Sequence, residues 1–205
     1  MSLHLSNSIN NQFRPVRRIA GFTMIELLIT VAIAIILAVV AVPQYWTFLQ
    51  TRKSVAEITN LYNDMQYART EALKEGQTVS LCISSNGTGC TTTTPNWDQG
   101  WIVYANPTSA AAFVSGTSIL LKAQPGFATT DTVTTLPAPA TTAVNFNRDG
   151  FAVNVSSTTG LLFELHTSPV NEPSTRCLWL SSIGNVFIQT KQSSAATGQG
   201  TNICT

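Results

Sequence analysis

From Phe22 to Val42 the chain is apolar on every helical face, with one charged residue, Glu26, and no proline. At 1.5 Å per residue such a helix rises about 32 Å, matching a bilayer hydrocarbon core of about 30 Å, which predicts a membrane-spanning segment. A carboxylate there costs on the order of 3 kcal/mol at mid-membrane and normally has a partner. Glu26 lies one turn inside the start, where the cost is smaller. Beyond Pro43 the pattern turns amphipathic. Val55, Ile58, Leu61, Tyr62, Met65, Ala68, Ala72 and Leu73 recur at three- and four-residue steps, while Glu57, Asn60, Asp64 and Glu71 take other faces. Pro43 removes one intrahelical hydrogen bond, which predicts a kink rather than a break. Lys74 in the last turn and Gly76 after it end the helix. One helix from Phe22 to Glu75, about 80 Å long, is therefore expected. Its second half would lay an apolar stripe on a globular domain.

After Gly76 the period switches toward two. Candidate strands are Thr78–Ser84, Trp101–Tyr104, Ile119–Lys122, Ala143–Asn147, Phe151–Val155, Leu161–His166, Cys177–Leu180 and Val186–Thr190. Turn signals separate them, and Asn147-Arg148-Asp149-Gly150 between two apolar runs predicts a hairpin. Thr91–Thr94 and the Thr/Pro/Ala stretch Thr129–Thr142 read as loops, and Ser193–Asn202 as a polar tail. Short strands at close spacing predict antiparallel sheets packed on the helix, an α+β fold. The boundaries are a basic leader at 1–21, an apolar helix at 22–50, an amphipathic helix at 51–76 and a β-rich domain at 77–205.

Charge refines this picture. Of 11 basic residues, Arg14, Arg17 and Arg18 precede the apolar helix, leaving 8 against 10 acidic ones from Phe22 onward. Clustered Lys and Arg, the usual source of nucleic-acid affinity, are missing from the sequence of the domain. Arginines close before the helix place the leader in the cytoplasm and Pro43 onward outside, a single membrane pass. A secretory signal would carry its small-residue cleavage site after the apolar run; here Ala20-Gly21 precedes it, so the helix would survive processing.

Four cysteines, Cys82, Cys90, Cys177 and Cys204, then fall where disulfides persist. Sequence alone permits three pairings. Cys82 and Cys90 flank a Gly-rich turn, and Cys177 and Cys204 bracket the last strand pair and tail. Cys82–Cys90 and Cys177–Cys204 are the expected bridges. A four-cysteine zinc site would need a Cys-x-x-Cys pair, which the sequence lacks, so no metal is expected. Catalytic chemistry has no support either. His4 lies in the leader and His166 at a strand end, as a packed or surface imidazole. Gly87-Thr88-Gly89 and Gly198-Gln199-Gly200 lack the strand–loop–helix setting of a nucleotide site. No enzyme and no cofactor are expected.

A basic leader ending in Gly21, followed by Phe22-Thr23-Met24-Ile25-Glu26-Leu27-Leu28 opening an apolar helix, resembles the class III signal of type IV pilins and pseudopilins. The resemblance implies cleavage between Gly21 and Phe22 by the prepilin peptidase, which also methylates the Phe22 amine. It implies too that Glu26, the fifth mature residue, pairs with the Phe22 amine of a neighbouring subunit during assembly. Two opposite charges meeting in an apolar fibre neutralise each other, whereas either alone is costly to bury.

Tyr67-Ala68-Arg69-Thr70-Glu71-Ala72, Val79–Gly87, Cys90, Trp97-Asp98-Gln99-Gly100-Trp101-Ile102-Val103-Tyr104 and Asn145–Gly150 with Cys177 narrow the resemblance to the GspH/FimT group. Trp97 and Trp101 also read simply as large core anchors. The group implies a type IV pilin-like fold and a minor pilin of the pilus priming or tip complex, with roles in adhesion, twitching motility and natural transformation. Its partners would be other minor pilins and the major pilin, with inner-membrane lipid before assembly. A minor pseudopilin of a type II secretion system is the alternative. A further one is DNA reception, which in some FimT-like relatives uses a Gly-Arg-x-Arg motif. The matching place, Gly184-Asn185-Val186-Phe187, lacks both arginines, and the tail offers only Lys191, so DNA is not an expected partner.

Overall fold

The computed structural model describes residues 21–91, 93, 96–106, 112–128, 130–137, 141–191 and 204. The chain forms two compact units, the first ending at Val42 and the second beginning at Pro43. One helix, α1 (Met24–Glu75), is continuous through Pro43. Within the first unit, every described residue is solvent-exposed.

In the second unit, the helix is followed by eight strands: β1 (Thr78–Ile83), β2 (Gly100–Asn106), β3 (Ile119–Pro125), β4 (Thr132–Leu136), β5 (Ala143–Phe146), β6 (Leu161–His166), β7 (Arg176–Leu180) and β8 (Val186–Thr190). They form two four-stranded sheets, ordered β3-β2-β1-β5 and β4-β6-β7-β8. Every pairing is antiparallel. One core joins both sheets to the helix. Ile58, Leu61, Met65, Ala68 and Ala72 meet Val79, Leu81 and Ile83 of β1, Trp101, Val103 and Ala105 of β2, and Leu161, Phe163 and Leu165 of β6. The period-two alternation explains the selection, since every second residue of each strand points the same way. Trp97, in a 3-10 turn before β2, stacks edge-on against Phe163 at 5.1 Å and ties the two sheets.

The reverse face of each sheet carries a smaller apolar cluster centred on a disulfide. Cys82 bonds Cys90 and packs with Ile102, Tyr104 and Phe113. Cys177 bonds Cys204 and packs with Leu162 and Trp179.

Four expectations are corrected. The Thr129–Thr142 stretch holds a strand, β4, at the edge of its sheet. Its Thr-Val-Thr-Thr-Leu run alternates exposed and buried positions, and β-branched threonine suits an edge facing water. Phe151–Val155 is not a strand; only Ala152 bridges Phe146. The Asn154 side chain takes the place of the ladder, accepting from Asn145 N at 3.0 Å and donating to Ala143 O at 2.6 Å. The hairpin at 147–150 is accordingly a tight turn whose second limb is a single bridge, with Asn147 N donating to Phe151 O and Val153 N to Asn145 O, each at 3.0 Å. Its Asn147 Oδ1 accepts from the Asp149 and Phe151 amides, and Gly150 sits at φ 78°. Finally, the buried stripe of α1 is narrower than the periodicity implies: Val55 and Leu73 are exposed, and Asp64 is buried. The expected tail at Ser193–Asn202 lies outside the described residues.

Candidate functional site

Two regions carry the chemistry, the start of α1 and the surfaces that fasten its second half. At the start, Thr23 caps the helix, its hydroxyl accepting from the Glu26 amide at 3.3 Å, while Leu27 N reaches Thr23 O at 3.1 Å. Thr-x-x-Glu is the capping-box pattern, and it places the Glu26 carboxylate in the first turn, beside the positive end of the helix dipole. From Gly21 through Phe48 every residue is exposed, including Phe22 and the whole apolar run. Such a surface cannot rest in water; its chemistry is burial against lipid or against other helices.

The second half of α1 is fastened by polar contacts that the sequence reading did not single out. Asp64, 1% exposed, accepts from Trp101 Nε1 at 2.9 Å and pairs with the Lys122 ammonium of β3. Arg69 makes a three-way clamp, Nε to Gly150 O at 3.1 Å, one terminal nitrogen to Asn185 Oδ1 at 3.3 Å and the other to Ile183 O at 3.1 Å. At the lower end Thr51 Oγ1 meets Ser174 Oγ at 2.9 Å, and Asn171 Nδ2 donates to Gln50 Oε1 at 3.0 Å. The available signal was position: Asp64 adjoins Met65 in the stripe, and a lysine sits within an apolar strand.

Gly184-Asn185-Val186-Phe187 is occupied structurally. Gly184 sits at φ 79°, where an added Cβ would lie 2.1 Å from Gly150 O; Asn185 holds Arg69, and Val186 is core. Phe187 stacks on Trp179 at 5.8 Å. Six of the eight basic residues after the leader hold contacts inside the chain. Arg69 and Lys122 do so as above, Arg52 lies over the Phe48 ring, and Lys74 pairs with Glu71. Arg176 donates to Pro173 O and Thr175 O, and Lys191 pairs with Glu172. Burial lowers the Arg176 guanidinium below its usual value.

On the reverse face of the first sheet, a cavity of about 360 Å³ is lined by Cys82, Cys90, Tyr104, Phe113 and Ala143 among others. Burial pushes the Tyr104 hydroxyl up from its ordinary value, with the neighbouring Ser80 hydroxyl partly offsetting the shift. Glu164 adjoins Cys177 and Cys204, but those two sulfurs are bonded to each other and offer no thiolate ligands. His166 Nε2 lies 3.5 Å from Glu164 Oε2 at the strand end.

Two family models match the chain. The model described as type II transport protein GspH covers residues 57–184, and the prokaryotic N-terminal methylation motif covers residues 16–42. The chain belongs to the GspH family. The methylation motif joins it to the type IV pilins and pseudopilins, a family of structural subunits. A crystal structure of the type IV minor pilin FimU of Pseudomonas aeruginosa strain PAO1 is similar, at 20% identity and TM-score 0.51, over 69% of this chain and 92% of that one. A second crystal form of FimU gives 19% identity and TM-score 0.46, over 67% and 91%. The fold, one long N-terminal helix on two antiparallel sheets, is therefore that of a type IV minor pilin. No curated protein matches the chain.

Proposed function

We propose that this GspH-family chain is a minor type IV pilin, a structural subunit of the priming or tip complex of a pilus. The observation that carries the reading is the exposed helix. From Phe22 onward an uninterrupted apolar surface has no cover within the described residues, and one carboxylate, Glu26, stands a turn from the cleavage site. Lipid covers that surface first, with the leader cytoplasmic and the domain periplasmic. Other pilins then cover it in the fibre, where the Phe22 amine of a neighbour neutralises Glu26. The prepilin peptidase, by cutting after Gly21, creates that amine. With its residues engaged in packing and fastening, the domain serves as a contact module rather than a catalyst.

A minor pseudopilin of a type II secretion system is the second reading, favoured by the description of the matching family model. Mass spectrometry of fibres sheared from the host separates them. Low-abundance recovery beside a major pilin, starting at N-methylated Phe22, is the expected result. Absence from fibres, with exoprotein secretion lost on deletion, would replace the pilus reading with the secretion one.

A further inference from the structure

Immediately after the apolar run, α1 carries a surface that stands exposed among the described residues. Tyr45, Trp46 and Phe48 are 60%, 63% and 51% exposed, and Arg52 and Lys53, two turns on, are exposed as well. At about 100° per residue these five fall within one arc of roughly 160°. The opposite arc is the one that meets the domain: Ser54 is buried there, with Gln50 and Thr51 held by Asn171 and Ser174 on its flanks. The five side chains are thus turned away from the protein's own core. Aromatics come first and cations about 10 Å further along the helix. Arg52 folds back over the Phe48 ring at 4.8 Å, so its charge is presented on an apolar base. No acidic residue occurs from Pro43 to Ala56.

We propose that Tyr45, Trp46, Phe48, Arg52 and Lys53 form an interfacial collar that docks on the anionic headgroup layer of a phospholipid bilayer. The proposal rests on the membrane-spanning reading of residues 22–42 and adds to it a site and a lipid class. Amphipathic rings settle at the carbonyl and glycerol level, where one side is apolar and the other wet. Cations one headgroup further out meet phosphate, and an anionic surface attracts them within a Debye length. The collar fixes how deep this part of the helix sits while the subunit waits for assembly. Charge complementarity and continuity with the apolar run select a lipid surface over a protein partner.

The test uses the full chain in nanodiscs of phosphatidylcholine, with or without phosphatidylglycerol, and acyl chains brominated either near the glycerol or near the terminal methyl. The Trp46 signal is the difference between the parent and Trp46→Phe. Stronger quenching by the shallow bromines, increased by phosphatidylglycerol, is expected. Arg52→Glu with Lys53→Glu should abolish that increase. Ile33→Trp in the Trp46→Phe background reports on the span and should be quenched by the deep bromines. If Ile33→Trp is quenched but Trp46 is not, or if charge reversal leaves the lipid dependence intact, the collar is wrong and the span stands. Water-like emission from both positions would overturn the span and the collar together.

Discussion

The Asp64–Lys122–Trp101 contact is the most informative place to perturb. Asp64 is almost wholly buried, at 1% exposure, whereas Lys122 is 46% exposed. Stranding one partner of a fully buried pair costs about 3–5 kcal/mol, while an exposed pair contributes about 0–1. With one end buried and the other half in water, Lys122→Met should cost about 2–3 kcal/mol, most of it the penalty on the abandoned carboxylate. For a domain of this size that corresponds to roughly 4–12 °C in Tm. Asp64→Asn keeps an acceptor for Trp101 Nε1 and releases Lys122 to water, so it should cost less, about 1–2 kcal/mol. The double variant leaves no unpaired charge and should be no worse than Lys122→Met alone, giving a coupling energy on the order of 1–2 kcal/mol. Urea unfolding of the full chain in detergent, followed by tryptophan fluorescence with the disulfides intact, measures all four corners of the cycle. Additivity within about 0.5 kcal/mol would refute the argument, because independent sites behave that way.

Arg69→Ala should destabilise the domain by about 2–4 kcal/mol, since three acceptors lose a charged donor together. Gly184→Ala should do likewise through its clash with Gly150 O, and both should appear as lowered urea midpoints with unchanged m-values. Tyr104 should titrate above the ordinary tyrosine value in an alkaline absorbance scan, because burial disfavours its phenolate. Its raised folded value means that the Tyr104 contribution to stability is constant below about pH 10 and falls as pH rises beyond it, where the unfolded chain releases a proton the folded one keeps. Tyr104→Phe should remove that part of the slope. Glu26→Ala should leave domain stability unchanged yet reduce incorporation into fibres, read by immunoblot of sheared material. Normal incorporation would sink the assembly role of the carboxylate.

The parts of this molecule that follow from periodicity were legible in the sequence. The helix, seven of the eight strands and the Trp97 and Trp101 anchors each declare themselves through local spacing. What escaped depended on partners distant in sequence. Asp64 looks like a solvent-facing acid until Lys122, 58 residues on, arrives beside it. Arg69 looks like a surface cation until the turns at Gly150 and Ile183 close over it. β4 was hidden by a Thr/Pro/Ala composition that resembles a loop, although its alternation was visible. Phe151–Val155 misled in the opposite sense, because the Asn154 side chain displaced a backbone ladder that composition alone would favour.

The missed polar contacts have a common logic. The apolar stripe of α1 in the domain is mostly alanine, leucine, isoleucine and methionine, and such a stripe tolerates rotation about the helix axis at modest cost. Asp64 lies on one flank of the stripe and Arg69 on the other, each directed at acceptors or donors that exist in one place only. A small rotation that the apolar contacts would accept leaves a buried carboxylate or three carbonyls unpaired, which costs far more than the lost packing. The two flanking clamps therefore set the rotation of the helix within its own domain. That setting decides which arc, between Tyr45 and Lys53, is presented away from the domain.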